Sequence, residues 1–334
     1  MRAMVLEKPQ PIEKSPLHLR TIPRPVPGTG EIRVSVRCCG LCHTDLHTVE
    51  GDLSLPKLPI VPGHQIVGFV DAVGQGVTNL KEGDRVGVPW LHSTDGTCEF
   101  CSEELENLCD AARFTGFHVD GGYAEYALAR EKFALNIPAV FSDISAAPLL
   151  CAGIIGYRAF QLSRIVLGER LGLFGFGASA HLVLQFAQHL GCEVYVFTRS
   201  EAHRELARQL GAGWVGGAEE TPPELLDAAI IFAPAGALVH DALRLLRKGG
   251  TVALAGITMS DIPKLDYSLL YQERSIRSIA NCTRQDGRDF LDLAADANLQ
   301  ATIQSFALRE ANQALADLKH SRIEGAGVLI IAEY

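Results

Sequence analysis

The feature that most limits the fold is a short glycine turn, Gly175-Phe176-Gly177-Ala178-Ser179-Ala180, set between an apolar run and a helical one. Residues 171–174 read as a strand, and Leu182, Val183, Phe186 and Leu190 follow at helical spacing. In that context each position has a physical task. Gly175 permits a tight turn, Gly177 lets the backbone approach a pyrophosphate, and Ala180 is small enough for close helix–sheet packing. The helix start, at Ala178 and Ser179, offers free N–H groups and a positive dipole end to phosphate. The alternation continues downstream: strands at 193–197, 228–232, 251–255 and 276–280, and helices at 202–210 and 238–246. This places the second half in the α/β class, as a doubly wound parallel sheet of the Rossmann, dinucleotide-binding kind. Two helices, at 287–297 and 310–319, and a strand at 327–331 follow.

The first half reads differently. Ile32, Val34 and Val36 alternate with Arg33, Ser35 and Arg37, the period of a half-buried strand. Residues 66–73 form another strand, and Pro and Gly recur up to Pro62-Gly63. Helical periodicity is scarce there. The division expected is 1–150, a β-rich catalytic domain, then 151–281, the dinucleotide domain, then 282–334, a return to the first.

Composition narrows the partners. Net charge is −9, which disfavours a nucleic-acid binder working through phosphate neutralisation. The uncharged stretch 171–192 could pass for a membrane span, but its glycine cluster suits a buried strand and helix better. The N-terminal residues show no apolar leader-like region, and nine cysteines in a long chain do not look like a disulfide scaffold. A reducing cytoplasm is therefore the expected location.

The strand at 193–197 leads into Thr198-Arg199-Ser200. An NAD site usually carries an Asp or Glu there, to hold the ribose 2′-hydroxyl. Here no carboxylate repels a 2′-phosphate, and the Arg199 guanidinium can hold one. NADP is favoured over NAD.

Two metal-ligand sets stand out. Asp95, Cys98, Cys101 and Cys109 fall in one compact loop, suited to a closed tetrahedral zinc. The acidic run Glu103-Glu104-Leu105-Glu106 inside it reads as a solvated face. Cys42, His64 and Cys151 are scattered, and spacing alone does not unite them. Two Cys and one His with an open fourth position is nonetheless a known catalytic zinc arrangement. Cys38, Cys39, Cys192 and Cys282 read as small buried groups, and His118, His181 and His189 as structural.

At these residues the sequence resembles the zinc-dependent medium-chain alcohol dehydrogenases over nearly its whole length. Gly83-Asp84-Arg85-Val86, the run from Gly121 to Tyr126, and Leu246-Arg247-Lys248-Gly249-Gly250 add to the match. The resemblance implies a GroES-like catalytic domain interrupted by a Rossmann domain. It implies that Cys42, His64 and Cys151 hold a catalytic zinc acting as a Lewis acid. Thr44 would contact the substrate oxygen, and His47 would pass the proton on through the cofactor ribose. Asp45 would orient a zinc ligand, His43 would contact a cofactor phosphate, and Leu53 and Trp90 would line the substrate pocket. The structural zinc would sit at Asp95, Cys98, Cys101 and Cys109. A homodimer or homotetramer is the family habit.

Three positions depart from the family pattern: Asp95 in place of a cysteine, Gln65 in place of a glutamate, and Ile155 in place of a hydroxyl-bearing residue. The expected function is alcohol oxidation or aldehyde reduction with a nicotinamide cofactor. Two rivals have distinguishing features. A zinc-independent quinone or enoyl reductase would lack the zinc ligands. A non-enzymatic redox sensor would need no proton path such as Thr44–His47.

Overall fold

The computed structural model describes residues 1–332. It divides into two compact units. The first comprises Met1–Ala152, Thr283–Ala295 and the chain from Gln300 onward; the second comprises Gly153–Cys282 and Asp296–Leu299. The first boundary thus falls two residues beyond the one expected, because Cys151 packs with Cys42 and His64. Residues 296–299 also rejoin the second unit, where Asp296 meets His189 at 2.9 Å.

The first unit starts with a hairpin of β1 (Arg2–Leu6) and β2 (Leu17–Thr21). Then come β3 (Glu31–Gly40), α1 (His43–Glu50), β4 (Ile66–Val73) and β5 (Arg85–Val88). A small ribbon follows, of β6 (Leu91–Ser93) and β7 (Arg113–Phe114), with the short α2 (Glu99–Ser102) between them. Next are β8 (Tyr126–Arg130), β9 (Leu135–Asn136) and α3 (Asp143–Ala146). Helix α4 (Ala152–Ser163) leads into the second unit.

The second unit carries β10 (Arg170–Phe174), α5 (Ala178–His189), β11 (Glu193–Phe197), α6 (Glu201–Gln209) and β12 (Trp214–Gly216). Then follow β13 (Leu226–Ile231), α7 (Leu238–Leu245), β14 (Leu246–Leu254), α8 (Tyr267–Leu270) and β15 (Ser275–Ser278). Helix α9 (Arg284–Asp296), β16 (Ile303–Ala307), α10 (Ala311–Lys319) and β17 (Ala326–Ile330) end the described chain.

The first unit is built on a mixed sheet ordered β16-β17-β3-β4-β5-β9, with β8 also paired to β3. Strand β3 alternates as the sequence predicts: Ile32, Val34 and Val36 are buried while their neighbours are half-buried. They belong to one apolar core shared with Leu46 and Val49 of α1. The second unit is a six-stranded sheet ordered β12-β11-β10-β13-β14-β15, parallel throughout. The order reverses between β10 and β13, and the glycine turn follows β10, where such sheets bind dinucleotides.

One element differs from the sequence reading. The helix expected over 238–246 stops at Leu245, and β14 begins at Leu246, ahead of the strand expected at 251–255. Leu246 pairs with Leu226 across a register shift. Gly249 takes φ +74°, and Arg247 ion-pairs with Glu169 at 2.8 Å and also with Asp227. That pairing extends the strand by five residues.

Candidate metal and dinucleotide sites

Helix α1 is short, and its caps explain where it starts and stops. The Cys42 sulfur accepts the Thr44 N–H at 3.5 Å, while Asp45 Oδ2 accepts the Cys42 N–H at 2.9 Å. This is a capping box with a thiol in the usual hydroxyl's place. Gly51, at φ +88°, ends the helix. The cap therefore fixes the Cys42 sulfur at a helix N-terminus, a setting that favours thiolate.

Asp45 has a second task. Its Oδ1 accepts the Gly63 N–H at 3.1 Å and meets His64 Nδ1 at 2.9 Å. Gly63 needs φ +101°, and a Cβ there would fall 2.4 Å from the Tyr123 ring. Only glycine fits that bend, which turns His64 inward. With Nδ1 engaged, Nε2 is left for the sulfurs. It lies 3.4 Å from Cys151 Sγ, and Cys151 Sγ lies 3.8 Å from Cys42 Sγ.

A tetrahedral zinc, with bonds of about 2.3 Å to sulfur and 2.0–2.1 Å to nitrogen, would set sulfurs about 3.8 Å apart and a sulfur–nitrogen pair about 3.6 Å apart. Both separations fit that metal, and all three atoms lie within 4.8 Å of one another. Burial alone would lower the His64 pKa, but the Asp45 charge and hydrogen bond, helped by Cys42, push it up to about 10. The Cys151 thiol's hydrogen bond, with the His64 ring and against burial, holds Cys42 well below the usual thiol range. The negative Asp45 and Cys42 that hold the His64 proton also favour a metal cation, which would take the proton's place at Nε2.

The second set closes in the same way. The ligand atoms of Asp95, Cys98, Cys101 and Cys109 all lie within 4.8 Å of one another. Asp95 divides its oxygens. Oδ1 accepts the N–H groups of Thr97 and Cys98 at 2.8 and 2.9 Å, and Oδ2 faces Cys109 Sγ at 3.3 Å. The two backbone N–H groups hold its carboxyl well below the usual carboxylate range. One oxygen builds the loop and the other completes four donors, so the chemistry of a closed zinc site is present.

The acidic run of this loop corrects the sequence reading at one residue. Glu106 is not solvated; it is 2% exposed. Its Oε1 accepts the Arg284 N–H at 2.9 Å and the Arg284 Nε at 2.8 Å. A partner 178 residues away gives no local signal.

The remaining predicted residues fall as follows. Thr44 is buried beside the Cys42 sulfur, with Oγ1 at 3.6 Å. His43 is exposed at the first position of α1. His47, on the same helix, binds Asp52 Oδ2 through Nδ1 at 2.7 Å. Sequence reasoning missed Asp52. The helix end brings it back, since the Gly51 and Asp52 N–H groups both donate to the His47 carbonyl at 3.0 Å. An acidic residue just past a C-capping glycine was the available signal.

Trp90 is half-buried, with its ring 6.0 Å from the His64 ring, and stacks on Phe114 at 4.3 Å. Phe114 was also missed. Leu53 is half-buried in the loop after α1.

In the second unit, Gly175 at φ +87° lies so close to Ala233 that a Cβ would meet its nitrogen at 2.9 Å. Gly177 is the N-cap of α5, Ala178 and Ser179 open that helix, and Ala180 is fully buried. Thr198 is buried, and its carbonyl accepts from Arg204 Nε at 2.9 Å. The Ser200 hydroxyl caps α6 by accepting the His203 N–H at 3.4 Å. Arg199 is exposed, and no hydrogen bond or ion pair engages it among the described residues.

Comparison with known proteins identifies both kinds of domain. Residues 28–139 match the alcohol dehydrogenase GroES-like domain, and residues 180–296 match the zinc-binding dehydrogenase domain. A probable alcohol dehydrogenase, AdhA, of Mycobacterium tuberculosis is 46% identical over 99% of this chain and 97% of that protein. The chain belongs to the zinc-dependent medium-chain alcohol dehydrogenase family. An alcohol dehydrogenase of Geobacillus stearothermophilus is 35% identical, over 96% of this chain and 97% of its own. The cobalt- and zinc-bound structure of a thermostable alcohol dehydrogenase from Pyrobaculum aerophilum superposes with a TM-score of 0.89. It is 26% identical, with 99% of each chain covered. The GroES-like and Rossmann-type architecture is that of the family, and the chain is an oxidoreductase of the alcohol dehydrogenase and aldehyde reductase class. Among the described residues no helix is long and apolar enough to cross a membrane.

Proposed function

We propose that this enzyme interconverts primary alcohols and aldehydes, with one zinc held by Cys42, His64 and Cys151 and a second by Asp95, Cys98, Cys101 and Cys109. The observation that carries the reading is the convergence of three ligand atoms, two of their separations matching a tetrahedral zinc, beside the Thr44 hydroxyl. When bound, the metal supplies Lewis acidity toward the substrate oxygen, and the nicotinamide gives or takes the hydride.

The chain's own residues then handle the proton. In alcohol oxidation Thr44 Oγ1 accepts the hydroxyl proton and releases its own toward His47. Asp52 accepts from Nδ1, so the ring keeps its Nε2 lone pair for that proton. Asp52 is 55% exposed, which lets the pair exchange the proton with solvent. Asp45 keeps His64 aimed by the carboxylate–histidine arrangement common at metal sites. Trp90 and Leu53 supply apolar walls for the substrate.

NADP(H) is the preferred cofactor on our reading. Arg199 is exposed and unengaged at the end of β11, and neither Thr198 nor Ser200 brings a negative charge. The turn from Gly175 to Ala180 takes the pyrophosphate, and His43 adds a phosphate contact. A homodimer or homotetramer is supported by the unpaired outer edge of β15. Among the described residues no disulfide joins the nine cysteines, which suits a reducing cytoplasm.

The test is Cys42→Ser, with zinc counted per chain. About two zinc ions are expected in the parent and about one in the variant. Alcohol oxidation should be lost while dinucleotide binding survives. Unchanged oxidation in the one-zinc variant would overturn the proposal.

A further inference from the structure

The motif Gly83-Asp84-Arg85-Val86 and the Cys38 thiol take no part in the chemistry above. Both nonetheless lead to the segment that delivers Cys151. That segment runs through α3 and the 3-10 turn Ala147–Leu150, and Cys151 caps the turn. Cys151 lies 87 positions from His64 and 109 from Cys42. Nothing local can register its sulfur against theirs.

Several contacts hold the segment instead, among them an ion pair of Arg37 Nε with Asp143 Oδ2 at 3.8 Å. Arg85 donates from Nε to Asp143 Oδ1 at 2.8 Å, and its Nη2 lies 2.7 Å from the same oxygen. The Cys38 thiol donates to the Asp143 carbonyl at 3.2 Å. At the far end, Gly87 leaves a notch for Leu150, because a Cβ there would fall 2.6 Å from Leu150 Cδ2 and from Ile137 Cδ1. Leu149 and Leu150 are each 1% exposed.

Arg85 and Gly87 lie on one strand, β5, and that strand also references the other ligand. Val88 of β5 pairs with Ile66 of β4, two residues past His64. Ile66 in turn pairs with Cys39 of β3, which lies three residues before Cys42.

We propose that β5 acts as a two-point clamp, in which Arg85 grips Asp143 and Gly87 seats Leu150, so that Cys151 is presented at bonding distance from Cys42 and His64. Arg85 is then a positioning residue for the metal triad. The inference rests on the reading of Cys151 as a metal ligand.

The experiment is zinc release from the fully loaded enzyme to a colorimetric chelator, with unfolding midpoints measured in parallel. The variants are Arg85→Met, Arg85→Lys, Gly87→Ala and Cys151→Ser. Arg85→Met and Gly87→Ala should release one of the two zinc ions at least ~10-fold faster, the scale of supporting-residue effects at metal sites. The other ion should leave at the parent rate, and Arg85→Lys should restore part of the loss. If Arg85→Met fails to fold, Gly87→Ala and Arg85→Lys carry the same comparison. Parent release rates in Arg85→Met and Gly87→Ala would overturn the clamp. So would equal acceleration of both ions in step with a lowered midpoint. Cys151→Ser separates the two ideas. Two zinc ions retained there would overturn the ligand assignment and the clamp together. One ion lost there, with parent rates in the β5 variants, would overturn the clamp alone.

Discussion

Asp45 Oδ1 stands 2.9 Å from His64 Nδ1, and both side chains are only 2% exposed. The same carboxylate caps α1 through the Cys42 N–H and holds the Gly63 bend. One buried side chain therefore registers two of the three proposed metal ligands. Asp45→Asn would turn an NH2 group toward one of these donors. It should weaken zinc binding at the triad about 10- to 100-fold while the loop zinc is unchanged. Zinc per chain after dialysis against graded chelator checks this, and equal retention at both sites would refute it.

The His47–Asp52 pair gives a second prediction. Asp52→Asn leaves the ring in place but removes the charged acceptor at Nδ1. Alcohol oxidation should slow by about 10-fold or more in kcat, less than the ~100-fold or more of a whole acid–base group, because the ring remains. KM should change little. His47→Gln should be slower still, and imidazole added to it should restore part of the rate. The double variant should be no slower than His47→Gln alone, because Asp52 acts through the ring. Additive losses would mean the two residues act separately.

How far the sequence reveals these sites depends on how local their causes are. Strands β4 and β11 are legible residue for residue, since each is an apolar run bounded by turn residues. Helix α1 is not. It has eight residues, and its caps, Cys42 and Asp45, are residues whose types point to metal chemistry first. The candidate loop cluster of Cys98, Cys101 and Cys109 is legible because its members are close in sequence. The triad is legible only through family resemblance, because its members are brought together by sheet register. Glu106 reads as solvated within an acidic run, and only Arg284 on α9 explains its burial. Cys38 reads as an inert small group, and its donation to the Asp143 carbonyl is visible only in three dimensions.

On the NADP(H) reading proposed above, cofactor choice turns on Arg199. Arg199→Asp should lower kcat/KM for NADPH by about 10- to 100-fold, the loss of one charge-assisted pair worth about 1.5–3 kcal/mol. The value for NADH should hold or rise. Steady-state assays with the two cofactors at one ionic strength settle it. An equal fall with both would argue against any 2′-phosphate contact.

Glu106 predicts an acid dependence. Burial opposes ionisation, but the Arg284 side chain and backbone bonds prevail and lower its pKa. A carboxyl lowered in the fold adds stability above its unfolded pKa of about 4.3, and that stability is lost as pH falls through the folded value. Glu106→Gln should therefore cost about 1–3 kcal/mol near neutrality. The deficit should shrink below about pH 4. Urea unfolding at both acidities checks the trend, and a pH-independent deficit would show that shape alone is at stake.

His181 makes the opposite kind of site, a base kept neutral. It lies in the first turns of α5, is 1% exposed, and burial lowers its pKa to about 4. Its Nδ1 faces the Gly177 carbonyl at 3.4 Å, and Nε2 has no hydrogen-bond partner among the described residues. The unfolded chain, titrating near 6.5, takes up the proton first. Stability associated with this residue is thus intact above about pH 6.5 and lost as pH falls toward 4. At pH 5 the loss comes to about 2 kcal/mol. His181→Leu removes that sensitivity while keeping an apolar side chain of similar bulk beneath the dinucleotide turn. Between about pH 7.5 and pH 5, the variant's stability relative to the parent should rise by about 2 kcal/mol. Urea unfolding of zinc-loaded protein at the two acidities measures the difference directly. A difference that does not move with pH would mean that His181 gains its proton within the folded unit, through an opening at the start of α5.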